Sequence, residues 1–389
     1  MAVKSAVWTD VPAGVYVEQA EWGPAEAGGK QAGWSVKKKR LRGGLSDGVD
    51  VVHVDNGRLS FTVLPTRGMS LWKAWVGGEM LGWQSPVHGP VHPSFVPLME
   101  PGGLGWLDGF DELLVRCGLE SNGAPEFDEE TGRLKYPLHG RIGNKPAQRV
   151  GVSFDDATGE ISVSGVVEET RFHFLKLRLT TTITTRVGES AIRIRDVIEN
   201  RSASDAEAQL LYHINFGEPL LDAGARFVAP VKTVVPRNDH SAKGITNWHS
   251  YAAPQPAFPE EVYFLEVLGD AQGRTRTLLK NAHGTKGVSV LYNVQQLPCY
   301  SLWKNTTASI DGSVTGLEPG TNFPNPRSFE GKKGRVAKLA PGGSVAYDVA
   351  LEVHTTADQV AAAEQAIAHL QASVKPTLHA APQEDWCAP

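Results

Sequence analysis

Apolar and polar residues alternate with a period of two through most of this chain, and that pattern predicts strands. Leu175, Leu177, Leu179, Ile183 and Val187 alternate with Lys176, Arg178, Thr180, Thr182 and Arg186. Such a run puts its apolar set on one face of a sheet. Ile161, Val163 and Val167 share a parity, and Ile192 and Ile194 alternate with Arg193 and Arg195. Val345, Tyr347, Val349, Leu351 and Val353 repeat the pattern, and the runs 262–268, 287–293 and 299–303 read as further strands. Val52, Val54, Leu59, Phe61 and Val63 flank Asp55-Asn56-Gly57. Asn-Gly between apolar runs signals a hairpin, because these residues tolerate the positive φ of tight turns. Residues 69–77 read as one more strand, closed by Gly77-Gly78.

Helical spacing is clear in one place. Thr356 can cap a helix, Gln359 completes a capping box, and Val360, Ile367 and Leu370 fall on one face. Many strands and one C-terminal helix predict an all-β fold, a large sandwich or barrel. Residues 1–45 read as a polar, Gly-rich lead-in. Residues 46–374 read as a single β domain, and 375–389, with Pro376, Pro382 and Pro389, as a tail along the surface. The basic run Lys37-Lys38-Lys39-Arg40 reads as a solvated face or an edge strand protected by charge.

Composition narrows the function classes. With 41% hydrophobic and 21% charged residues in 389, a full core is expected. A net charge of −5 gives no electrostatic reason to expect nucleic acid or an acidic membrane surface as partner. No run approaches the roughly 18 apolar residues of a membrane span. Residues 1–14 lack the apolar core of a signal peptide, so a cytoplasmic location is expected. Cys117, Cys299 and Cys387 form neither a disulfide framework nor a close metal-binding pair.

The segment from Gln84 to His139 breaks the strand pattern with seven prolines and Gly102-Gly103. Long irregular segments in compact domains tend to carry function. Trp106, beside Asp108 and Asp111, is expected to be an exposed functional tryptophan there. Gly103, Gly105 and Gly109 have the wrong spacing for a dinucleotide loop. Pro90 and Pro93 exclude a helical metal-binding pair at His88 and His92.

Three stretches carry candidate chemistry. In a strand over 209–217, Leu210, Tyr212, Ile214 and Phe216 face a core, while His213 and Asn215 share the other face. An imidazole and an amide there can bond a polyhydroxylated ligand; a satisfied structural histidine is the alternative. Glu318, among Pro319, Pro324 and Pro326, is expected on a rigid loop, where a carboxylate is held for acid–base work. His139-Gly140-Arg141 leaves the irregular segment at a point where glycine allows close backbone approach.

Taken in order, His139-Gly140, His213-x-x-Phe216-Gly217 and Glu318-Pro319 with Thr321 and Pro324 resemble the aldose 1-epimerase (galactose mutarotase-like) superfamily over residues 45–355. Ile192–Asn200 with Arg201-Ser202 resembles that superfamily's mid-domain strand and turn. Pro65 to Ser70, the long loop and Cys117-Gly118-Leu119 are most similar to a longer, little-characterised branch. The resemblance implies a large antiparallel β-supersandwich that binds a small-molecule sugar on a concave sheet face. It implies His213 as general acid, Glu318 as general base and His139 as an auxiliary ligand. Periodicity adds Asn215 as a substrate contact. Arg67, Arg141 and Arg327 are expected to meet a strongly polar or anionic substituent, and Trp106 the sugar's apolar face. Anomer exchange then needs no cofactor, although His139, His213 and Glu318 are also residue types that hold a divalent metal. An isomerase or β-eliminating lyase on a modified or oxidised sugar, a non-catalytic sugar-binding protein, and a homodimer remain compatible with these residues.

Overall fold

A computed structural model describes residues 3–389. Two large sheets of ten and fourteen strands dominate it, with a two-stranded ribbon, Glu126–Phe127 with Leu134–Tyr136, beside them. Neighbouring strands are antiparallel, except where Thr377–Leu378 pairs in parallel with Val231–Pro236. One apolar core spans the facing surfaces. Val163, Leu179 and Ile194 come from the ten-stranded sheet, and Phe61, Leu210, Tyr212 and Leu317 from the larger one. The fold is an antiparallel β-supersandwich.

The alternating runs become the strands expected of them. Glu160–Thr170, Lys176–Arg186 and Ala191–Asn200 are adjacent in the ten-stranded sheet, with their apolar parity buried. The Asn-Gly turn joins Asp50–Asp55 to Leu59–Leu64. The C-terminal helix Ala357–Gln371 starts at Thr356, whose side chain accepts from Gln359 N, and Gln359 Oε1 in turn accepts from Thr355 N. Val360, Ala363 and Ile367 pack it against Leu278. The other α-helices among the described residues have four to six residues. None is long and apolar enough to cross a membrane.

Four expectations need correction. The lead-in is not peripheral: Lys4–Asp10 and Val15–Tyr16 extend the ten-stranded sheet, Ala20–Trp22 and Ser35–Arg40 extend the larger one, and Trp8, Trp22 and Trp34 join the core. Its glycines masked short strands. The basic run lies inside the sheet rather than at its edge. Lys37 and Lys39 face solvent, but Lys38 is buried against Asp50, Thr9 and the Val17 carbonyl. The tail does not merely trail: Trp386 and Cys387 pack with Phe323, and Asn325 Nδ2 donates to Trp386 O. Finally, the long segment contains a central strand, Leu114–Leu119. Both its faces are buried, so it shows no alternation.

Candidate active site

The strand Ala206–Phe216 lies between Leu114–Leu119 and Val314–Gly320 in the larger sheet. Leu210, Tyr212, Ile214 and Phe216 enter the inter-sheet core, leaving Leu211, His213 and Asn215 on the opposite face. Asn215 Nδ2 donates to Glu112 O at 2.9 Å and to His213 O at 3.2 Å. The amide is thereby oriented with Oδ1 toward His213 Nδ1, 2.6 Å away. An amide oxygen only accepts, so this network assigns the proton to Nδ1 and leaves the Nε2 lone pair to neutral His213.

Nε2 lies 3.2 Å from Glu318 Oε1. Glu318 is not on a loop, as its flanking prolines suggest, but on the central strand Val314–Gly320, between Ala206–Phe216 and Cys299–Asn305. Proline is tolerated because the ladder opens beside it. Leu211 pairs with Gly320 and Ile214 with Leu317, while the two rows between do not pair. Pro319 has no N–H to donate there. The same register sets His213 opposite Glu318. Gly316 completes the pocket for the carboxyl: a Cβ there would overlap Glu318 Oε1 and stand 3.2 Å from His213 Cε1.

Both groups are almost wholly shielded from water. Burial pushes Glu318 well above the usual carboxylate range; the Glu260 charge adds to this and Arg237 opposes it. Burial pushes His213 well below the usual imidazole value, His139 adds to this, and the Asn215 hydrogen bond opposes it. Both shifts favour the uncharged pair, a protonated carboxyl on Glu318 beside a neutral imidazole on His213. The 3.2 Å separation is within proton-transfer reach, but the atoms are not aligned as a hydrogen bond and Oε1 has no donor. Such loose geometry is common before substrate arrives.

His139 enters from a tight turn. Its φ of 56° and that of Gly140, 72°, are left-handed. A Cβ on Gly140 would overlap the carbonyl oxygens of Ser121 and Gly118, so only glycine fits. The Asn122 carbonyl accepts from His139 Nδ1 at 3.0 Å, which leaves Nε2 as the free acceptor. Burial holds His139 down at about 4. Its ring centroid is 5.2 Å from that of His213.

These groups converge on a cavity of about 320 Å³. Its walls are largely apolar, with Trp106, Phe110 and Trp303 around the imidazoles, and its polar lining is His139, His213, Glu318, Arg237 and Glu260. An apolar cleft with a few convergent polar groups is the usual form of a small-molecule site.

Other expected site residues sit elsewhere. Trp106 lines the cavity but is 2% exposed, not the solvent-facing residue expected. Asn215 lies behind His213 and orients it instead of meeting the cavity. Arg67 is buried and committed to Glu112, Asn144 and the carbonyls of Val91 and Gly109. Arg141 pairs with Glu120, and Arg327 bonds Glu120 O and Glu207. None of the three arginines lines the cavity. Among the described residues, no three His, Cys, Asp or Glu side chains group in metal-holding geometry, so His139, His213 and Glu318 do not form such a site. Arg237 and Glu260 line the cavity without any motif to mark them, since their neighbourhood is created by strand pairing alone.

Residues 46–353 match the family described as "Domain of unknown function (DUF4432)". A solved Klebsiella pneumoniae protein, named a "putative aldose 1-epimerase", is 36% identical over 97% of this chain and 98% of its own, with a TM-score of 0.94. The chain belongs to this family. Its fold is galactose mutarotase-like. A galactose mutarotase-like protein from Clostridium acetobutylicum superposes at a TM-score of 0.57, with 14% identity, over 82% of this chain and 98% of its own. Galactose 1-epimerase from Lactobacillus acidophilus does so at 0.53, with 13% identity, over 82% and 99%. At these identities the likeness concerns the fold. No curated protein matches the chain.

Proposed function

We propose that the protein is an aldose 1-epimerase-type isomerase that opens and recloses the cyclic hemiacetal of a sugar. The observation that carries this reading is the buried His213–Glu318 pair, 3.2 Å apart in the lining of a largely apolar cavity. The Klebsiella relative's name, "putative aldose 1-epimerase", supports the same class.

Ring opening moves two protons: one leaves the O1 hydroxyl and one arrives at the ring oxygen. In the assignment implied by the resemblance, the proton that burial places on Glu318 first passes to His213 Nε2 as substrate binds; Glu318 then takes the O1 proton and Nε2 supplies its own to the ring oxygen. The pair then stands as a neutral carboxyl and a neutral imidazole. Burial favours that state, so the site stabilises the pair in the form that accompanies the open-chain aldehyde. The C1–C2 bond turns, and the ring closes on the other carbonyl face. Nε2 recovers its proton from the closing hydroxyl, and Glu318 returns its own to O1. Asn215 keeps Nδ1 protonated throughout, so exchange occurs only at Nε2. His139 Nε2 accepts from a neighbouring hydroxyl, and the aromatic walls exclude water.

The test is anomer exchange followed by NMR across a panel of aldoses, with Glu318→Gln and His213→Asn beside the unaltered protein. Gln reproduces the protonated carboxyl's shape without its proton chemistry. Loss of exchange by about 100-fold or more in both folded variants is expected from removing a general acid or base. Exchange that persists in Glu318→Gln refutes the mechanism.

A further inference from the structure

The cavity lining also holds two partly exposed charged groups, Arg237 and Glu260, that the proton transfers do not use. Arg237 follows the strand Val231–Pro236, and its N–H donates to Val262 O at 3.0 Å. Glu260 directly precedes the paired strand Glu261–Val267, and Trp303 pairs in register with Val262 on the next strand. Arg237, Glu260 and Trp303 all line the cavity. Trp303 Nε1 donates to Glu260 Oε2 at 2.8 Å, which fixes the indole in the wall. The other carboxylate oxygen, Oε1, stands 3.8 Å from Arg237 Nη1, beyond hydrogen-bond reach. Among the described residues no group accepts a hydrogen bond from the guanidinium. Its charge is nevertheless felt at both Glu318 and His139.

We propose that Arg237 and Glu260 are the specificity pair of this site and hold a vicinal diol of a neutral monosaccharide, on the side of the ring away from the reacting carbon. This rests on the epimerase reading and narrows its substrate. The two charges cancel. A carboxylate or phosphate on the sugar would meet Arg237 but also face the Glu260 carboxylate, an unfavourable like-charge contact. A hydroxyl both donates and accepts, so one hydroxyl of a diol accepts from the guanidinium while the other donates to Glu260 Oε1. The Trp303 ring offers an apolar face for the sugar's C–H side. A volume of about 320 Å³ lies at the small end for ligand sites and suits one sugar ring rather than a chain.

The experiment measures anomer exchange of D-glucose and D-galactose, their 3-, 4- and 6-deoxy analogues, and the matching hexuronates. It uses the unaltered protein, Arg237→Gln, Arg237→Lys and Glu260→Gln, each checked for folding by circular dichroism. Losing a hydrogen bond to a charged group raises KM about tenfold or more. That rise is expected in Arg237→Gln, with kcat lowered far less than in Glu318→Gln, and Arg237→Lys should fall between. The deoxy analogue lacking a held hydroxyl should show a similar KM in the unaltered protein and be nearly insensitive to Arg237→Gln. An unchanged KM in both Arg237→Gln and Glu260→Gln, or a hexuronate preferred over its parent sugar, overturns the proposal. If no sugar is exchanged, the epimerase reading falls, and saturation-transfer binding of the same sugars decides the subsite. Binding weakened by Arg237→Gln sustains it; binding that is equal or absent ends it.

Discussion

Gly316→Ala separates the chemistry from the fold. A Cβ at this position would overlap Glu318 Oε1 and stand 3.2 Å from both His213 Cε1 and Trp303 Cε3. The backbone is not left-handed at Gly316, so alanine adds no conformational strain. The overlapped atom ends a flexible side chain, so the fold can yield by swinging the carboxyl. To restore ordinary contact Oε1 must move by about 1 Å, and misplacing a reacting group by that much can cost on the order of 100-fold in rate. The expected result is kcat/KM lowered about 100-fold by NMR anomer exchange, with a melting temperature within a few degrees of the unaltered protein. Gly331→Ala, where nothing lies within 4 Å of the added carbon, serves as the control. If Gly316→Ala keeps its rate within about threefold, a displaced carboxyl still works and Glu318 is not the group that must meet substrate at that spot.

Two further outcomes follow from the hydrogen-bond network. Asn215→Leu removes the acceptor that fixes His213 Nδ1–H; kcat should fall by about 10- to 100-fold with little change in KM, and Asn215→Asp should recover part of the loss and shift the pH profile, neither of which a purely structural role would produce. Glu169 is 1% exposed, is pushed by burial up to about 7, and has one oxygen without a partner while the other accepts from Leu119 N. Its folded value lies above the ordinary 4.5, so its favourable contribution is complete below pH 4.5 and is lost as pH rises through 7. Glu169→Gln should therefore gain stability relative to the unaltered protein above pH 7, by up to about 3 kcal/mol in urea unfolding, and a difference independent of pH refutes the assignment.

The chain's own pattern determined the fold class and most of the strands. Period-two runs such as Leu177–Val187 bury one face each, and that requirement is local enough to read without neighbours. The same periodicity placed His213 opposite the core side of its strand, and the His139-Gly140 turn showed itself because only glycine fits there. Proline chemistry misled at Glu318: the rule that proline leaves central strands is a rule about hydrogen-bond ladders, and here the ladder opens at that row. Leu114–Leu119 and the lead-in strands stayed hidden, since a strand buried on both faces, or interrupted by glycine, has no alternation to show. Which charged residues reach the cavity was decided only by tertiary structure. Arg67, Arg141 and Arg327 stand near chemistry-bearing motifs in sequence, yet each is consumed by a carboxylate or carbonyl partner. Arg237 and Glu260 carry no motif and become neighbours only because Val231–Pro236 pairs with Glu261–Val267. The closeness of His213 to Glu318 and their burial are likewise quantities that exist only once the sheet has formed.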